Sequence, residues 1–199
     1  MIARRLHPSP DFLRLLLLVN ASIPALLLGW DTLRGQLGSN PQEYLIRTTG
    51  MLTLIFLTGT LTVTPLLRLT GIGALINLRR MAGLFTFFYG CLHALSYSWF
   101  DKDLDPGRII SDIWQRPFIF LGMFAFLSMI PLALTSTRAS IRRLGGGSWK
   151  RLHRLIYPAA GAAVIHYYLL VRADKQLPIV FGLLIAGLLI WRVVRRRKA

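Results

Sequence analysis

Residues 81–100 read MAGLFTFFYGCLHALSYSWF and residues 153–172 read HRLIYPAAGAAVIHYYLLVR. Both are apolar stretches with one histidine set deep inside, His93 in the first and His166 in the second. Each follows a basic marker by 13 residues, Arg80 and His153. On a helix that spacing is roughly 20 Å. An imidazole inside a membrane helix is costly unless it has a partner. Two at equal depth, with no acidic residue beside either, read as two axial ligands of one metal centre.

The rest of the chain fits a membrane setting. Of its 199 residues 54% are hydrophobic and only 16% charged, against about 25% charged in a soluble domain. Mean hydropathy is +0.52. Six apolar spans are expected, near 12–30, 46–66, 81–100, 117–135, 153–172 and 178–194. Each approaches the ~20 residues that cross a bilayer. The first span, behind Arg4 and Arg5, is too long for a simple signal peptide and reads as retained.

Net charge is +16, yet the basic residues flank spans, so no nucleic-acid partner is expected. Seventeen of the 24 Lys and Arg fall on one side of this topology with a single acid, Asp11; the other side has seven of each sign. That bias puts both termini in the cytoplasm and the segment FDKDLDPGRIISD (100–112) outside. The tail RVVRRRKA (192–199) reads as an anchor on anionic lipid. Trp30, Trp99, Phe100 and Trp114 fall where an outer aromatic belt belongs. GGGSWK (145–150) reads as a flexible inner loop ending at an interfacial Trp149. Cys91, the single cysteine, reads as a small core residue. No internal repeat is visible.

The third and fifth spans run in the same direction, so His93 and His166 share a height in the outer half of the bilayer. Gly90, Gly161 and Ala162 nearby would let a helix or a flat macrocycle approach. Neutral imidazole is a good iron ligand, and two saturate the metal. A haem held between helices, moving electrons rather than binding oxygen, is the candidate. The plain alternative is an interhelical hydrogen bond from each histidine. A proton relay would call for carboxylates deep in the spans, and the sequence has none there.

His153 is either an interfacial histidine or a ligand of a second, inner haem. A straight helix turns about 220° over the interval to His166, so the two share no face unless Pro158 kinks it. Its counterpart at matched depth is Arg80, a poor iron ligand. His7 carries no assigned role. Arg79, Arg80, Arg142, Arg143, Lys150 and Arg151 form an inner collar. It could hold haem propionates, a flavin phosphate or a quinone headgroup, or simply face lipid phosphate. No dinucleotide-binding glycine fingerprint is present.

The strings NLRRMAGLFTFFYGCLHALSY (77–97) and TSTRASIRRLGGGSWKRLHRLIYPAAGAAVIHYY (135–168) carry a resemblance. They resemble the haem-binding membrane subunits of bacterial periplasmic methionine sulfoxide reductase systems, within the ferric-reductase-like transmembrane superfamily. The resemblance covers nearly the whole chain. It implies an all-α, integral membrane six-helix bundle, with residues 1–199 forming one transmembrane haem-binding domain in the bacterial inner membrane. It implies haem b, one or two, on His93, His166 and His153, and FMN, which no residue here locates. Electrons would come from the quinone pool, with a cytosolic flavin reductase as another donor. They would pass to a periplasmic molybdopterin-containing catalytic subunit that repairs oxidised proteins.

Eukaryotic ferric reductases and NADPH oxidases in the wider superfamily carry two histidines on each of two helices. Here Arg79 and Arg80 occupy the inner position of the third span, which leaves an inner haem without an obvious sixth ligand. A soluble flavin–nicotinamide domain is not expected. Two rivals stand beside this reading: a histidine-dependent proton or solute transporter, and a non-redox membrane anchor for a periplasmic partner.

Overall fold

The computed structural model describes residues 9–197. Arg4, Arg5, His7 and Lys198 lie outside them. The order is α1 Pro10–Leu33, α2 Pro41–Thr70, α3 Ile76–Ser96, α4 Pro106–Gln115, α5 Pro117–Leu134, α6 Arg138–Leu144, α7 Gly146–Leu152, α8 Ile156–Leu170 and α9 Gln176–Arg197. No strand occurs among the described residues.

Proline sets four of the helix starts. Pro10, Pro41, Pro106 and Pro117 each open a helix, where the missing N–H leaves no bond unmade. Ser9, Asn40 and Asp105 cap three of them by accepting from Phe12 N, Glu43 N and Gly107 N. Helix α2 ends on Gly71 at φ +70, whose N–H returns to Leu67 O. Six threonines along α2, among them Thr49, Thr53 and Thr60, bond the carbonyl one turn back. Their hydroxyls are thereby satisfied in an apolar setting.

The core sits between two hairpins, α2 with α3 and α5 with α8. Leu54, Leu57 and Leu61 of α2 pack on Ala160 of α8 and Ile185 of α9. Ala125 of α5 meets Ala159 and Ala162 of α8, small residues that bring those backbones close. Tyr89 of α3 is wholly buried, stacks on Phe56 and donates to Ala21 O of α1 at 2.5 Å. The outside is apolar: Leu26 and Leu183 are each 70% exposed. So much exposed hydrocarbon is the mark of a lipid boundary.

Four helices, α1, α2, α5 and α9, are long and apolar enough to cross a membrane. The two that carry His93 and His166 fall short by that measure. Helix α3 holds Arg79 and Arg80, and α8 starts late because His153–Leu155 form a 3-10 turn.

One expected loop is ordered helix instead. GGGSWK is no flexible loop: only Gly145, at φ +73, uses glycine's freedom, and Gly146–Leu152 is helical. Trp149 Nε1 donates to Thr135 O at 2.9 Å, which ties α7 to the end of α5. The 97–116 segment holds a π-turn at Tyr97–Asp101 and then α4.

Charge divides the molecule into two ends. The segments 34–40, 97–116 and 171–175 lie at the end that has seven of the eight Asp and Glu beside seven Lys and Arg, acidic only by contrast with the strongly basic opposite end. Asp112 locks it. Its carboxylate, 6% exposed, accepts from Tyr97 Oη at 2.6 Å, Lys102 Nζ at 3.0 Å and Arg116 Nε at 2.9 Å. Burial alone would raise the Asp112 pKa. The hydrogen bonds from Tyr97 and Lys102, with the charges of Lys102 and Arg116, outweigh it and hold the carboxyl below its ordinary value.

Asp112→Ala should cost about 3 kcal/mol of stability in detergent, because it leaves the largely buried Lys102 with only its longer 3.9 Å contact to Asp101. A depressed carboxylate contributes fully above its unfolded pKa of about 3.9 and stops contributing as pH falls through the lower folded value. The deficit should be constant near neutrality and shrink in acid, read as Tm against pH. A deficit unchanged at about pH 3 would exclude an ionic origin.

Candidate metal centre

His93 and His166 come together at the acidic end. Their ring centroids are 6.2 Å apart and their planes cross at 75°. Each imidazole is seated in the same way. His93 Nδ1 lies 2.9 Å from Ile46 O of α2, and His166 Nδ1 lies 2.6 Å from Phe118 O of α5. A carbonyl only accepts, so Nδ1 carries the hydrogen in both rings and Nε2 keeps its lone pair.

A glycine lies one turn beyond each carbonyl, against the ring. A Cβ on Gly50 would stand 3.0 Å from the His93 ring, and one on Gly122 would stand 2.8 Å from His166 Nδ1. The two seats are thus one construction made twice: histidine, carbonyl and glycine at the fourth residue, across partners 47 and 48 residues apart in the chain. No repeat was visible in the sequence. Gly50 and Gly122 were missed there because their partners lie on other helices. Gly90 does admit a neighbour, with a virtual Cβ 3.1 Å from Met129 of α5, whereas Gly161 faces open space.

This donor set suits a metal whose other positions are filled from elsewhere. Among the described residues no group of three or more His, Cys, Asp or Glu could hold a bare ion. Two metal–nitrogen bonds of about 2 Å each, plus about 1 Å from nitrogen to centroid in each ring, come to about 6 Å. The observed separation agrees with that span. The carbonyl partners fix tautomer and orientation, the usual task of the groups behind a metal-binding histidine.

His153 lies at the other, basic end. Its ring stacks on Trp149 with centroids 3.9 Å apart, and Nδ1 is 3.1 Å from Trp149 O. Its Nε2 is buried without a hydrogen-bond partner. Arg79 is half-buried, while Arg80 and Arg151 stand exposed at the rim with Arg142, Arg143 and Lys150.

Paired imidazoles within an apolar helical bundle are the donor set a membrane metalloprotein would use. Residues 46–164 match the model of the ferric reductase like transmembrane component. The protein-methionine-sulfoxide reductase heme-binding subunit MsrQ of Herminiimonas arsenicoxydans is 46% identical over 94% of this chain and 88% of its own length. The subunit of that name from Azospira oryzae is 50% identical over 87% of this chain and 75% of its own. That from Rhodospirillum rubrum is 46% identical over 93% and 91%. No solved structure matches the chain. The chain belongs to the ferric-reductase-like transmembrane family and, within it, to the group of methionine-sulfoxide reductase subunits that these relatives form.

The glycine seats can be tested without any cofactor. Gly122→Ala should lower Tm, because the His166 ring cannot move without losing Phe118 O. Gly161→Ala, into open space, should be neutral or gain about 0.5 kcal/mol from helix propensity. Equal Tm values for the two variants would remove the seat.

Proposed function

We propose that this subunit is a b-type cytochrome that carries electrons across the bacterial inner membrane to a periplasmic methionine sulfoxide reductase. The observation that supports this best is the pair of matched imidazoles, each with Nδ1 held and Nε2 free. The relatives' name, heme-binding subunit, points the same way. His93 and His166 would hold one haem, and His153 would ligate a second at the basic end. Bound haem supplies reversible one-electron storage on iron. The protein's part is to keep both imidazoles neutral, fix their tautomer and surround the site with hydrocarbon.

In this reading the chain crosses the membrane six times, with α3 and α8 completing the four most apolar helices, and both termini are cytoplasmic. The basic rim of Arg80, Arg142, Arg143, Lys150 and Arg151 then faces the anionic leaflet. Electrons enter there, from quinone or from a flavin reductase that uses FMN. They leave at the acidic end, where a molybdopterin-containing partner reduces methionine sulfoxide.

The reduced-minus-oxidised visible spectrum of purified protein, with haem counted per chain, tests this. Wild type should show a sharp b-type α-band. His93→Ala and His166→Ala should each lose the outer haem. His153→Ala should lose about half of the total and keep the outer signature. Full haem in both His93→Ala and His166→Ala would falsify the ligand assignment, and a colourless wild type would bring the transporter forward.

A further inference from the structure

Three buried side-chain polar atoms among the described residues lack a hydrogen-bond partner: Thr64 Oγ1, His153 Nε2 and Arg192 Nε. All three lie toward the basic end. Thr64 is near the close of α2, His153 is just before α8, and Arg192 is late in α9. Buried polar atoms are almost always paired, so three orphans at one end call for a reason.

A proline draws Arg192 inward. Pro65 has no N–H, so Leu61 O, four residues earlier in α2, loses its helical partner. Arg192 Nη2 replaces it at 2.6 Å, and Nη1 donates to Tyr157 Oη of α8 at 3.0 Å. The guanidinium also lies over the Tyr157 ring, 5.4 Å from its centroid. Its fork is therefore fixed, with Nε left over. Half-buried Arg79 of α3 is within electrostatic reach of Arg192, Tyr157 and His153.

Among the described residues no carboxylate answers these two cations. The one acid on that side, Asp11, pairs with Arg14 at 3.1 Å. A guanidinium drawn out of water without a carboxylate partner is costly, and an anion beside it offsets that cost. Planar guanidinium with a hydroxyl beside it is the chemistry that recognises carboxylate and phosphate oxygens.

We infer that Arg192, with Tyr157 beside it and the charge of Arg79 nearby, forms a buried receptor for the oxyanion of a cofactor seated toward His153. The receptor rests on the haem and flavin reading above. A haem propionate and a flavin phosphate offer the same oxygens. It differs from the basic rim, because Arg80 and Arg151 are exposed whereas Arg192 is held inside by a backbone carbonyl.

Binding titrations of the full-length chain, produced without haem, test the receptor. The probes are haem b against its dimethyl ester, and FMN against riboflavin. Wild type should prefer the charged member of one pair by roughly tenfold. Arg192→Gln should erase that preference and Tyr157→Phe should reduce it, while Arg142→Gln at the exposed rim should leave it intact. A preference within the haem pair identifies a propionate, and one within the flavin pair identifies a phosphate. No preference in wild type for either pair overturns the receptor. So does a preference that survives in both Arg192→Gln and Tyr157→Phe, which would make Arg192 only a tie between α9 and α2. Should Arg192→Gln not fold, the wild-type preference and Tyr157→Phe decide. The α-band that depends on His93 and His166 is read separately after haem is added. Its absence beside a surviving FMN preference would reject the cytochrome reading and keep the receptor.

Discussion

An imidazole N–H given to a carbonyl already inside another helix organises the acidic end. A carbonyl oxygen has two lone pairs, so Ile46 O and Phe118 O can serve their own helices and a histidine as well. That one bond sets the tautomer, aims the ring and joins two helices where no water competes. It also dictates a neighbour: the ring lies over the next turn, and only a residue without a side chain fits there. Gly50 and Gly122 follow from the bond, as does the way α3 and α8 pack on α2 and α5.

Much of this was legible in the sequence. The two histidines, their common depth and the apolar spans are linear facts, and linear facts survive folding. Helix starts were readable too, because proline marks them at Pro10, Pro41, Pro106 and Pro117. What stayed hidden was relational. Nothing near His93 points to Gly50, and nothing near His166 points to Gly122. A faint signal existed, since each glycine lies soon after a proline-initiated helix start. GGGSWK was misread because glycine-rich composition suggests a loop, yet Trp149 anchors the segment through Thr135 O and only Gly145 needs a left-handed backbone. Arg192 passed for a topology charge, because its partner is a carbonyl released by a proline on a distant helix.

The two ends handle charge in opposite ways. At the acidic end Asp112 gathers one tyrosine and two cations, and Arg108 finds Asp103 and Asp105. That end is electrically closed on itself, which suits a rigid rim around the histidine pair. The basic end has cations in excess and one acid already engaged. Attraction to anionic lipid accounts for residues at its surface. It does not account for an arginine that leaves the surface to bond a carbonyl between helices. The same chain thus has one end whose charges are paired and one where a buried arginine has no carboxylate partner among the described residues.

The crossed planes of His93 and His166 have an electronic consequence. Were an iron held between them as proposed, each imidazole would interact through its π system with the d orbital perpendicular to its own plane. Parallel rings would single out one such orbital and quench the orbital moment of a ferric ion. Rings crossed at 75° load two orbitals nearly alike and leave them close to degenerate. A low-spin ferric iron between them would keep a large orbital moment and give a strongly anisotropic paramagnetic signal. The helix packing that sets the ring angle would then be readable from the unpaired electron itself.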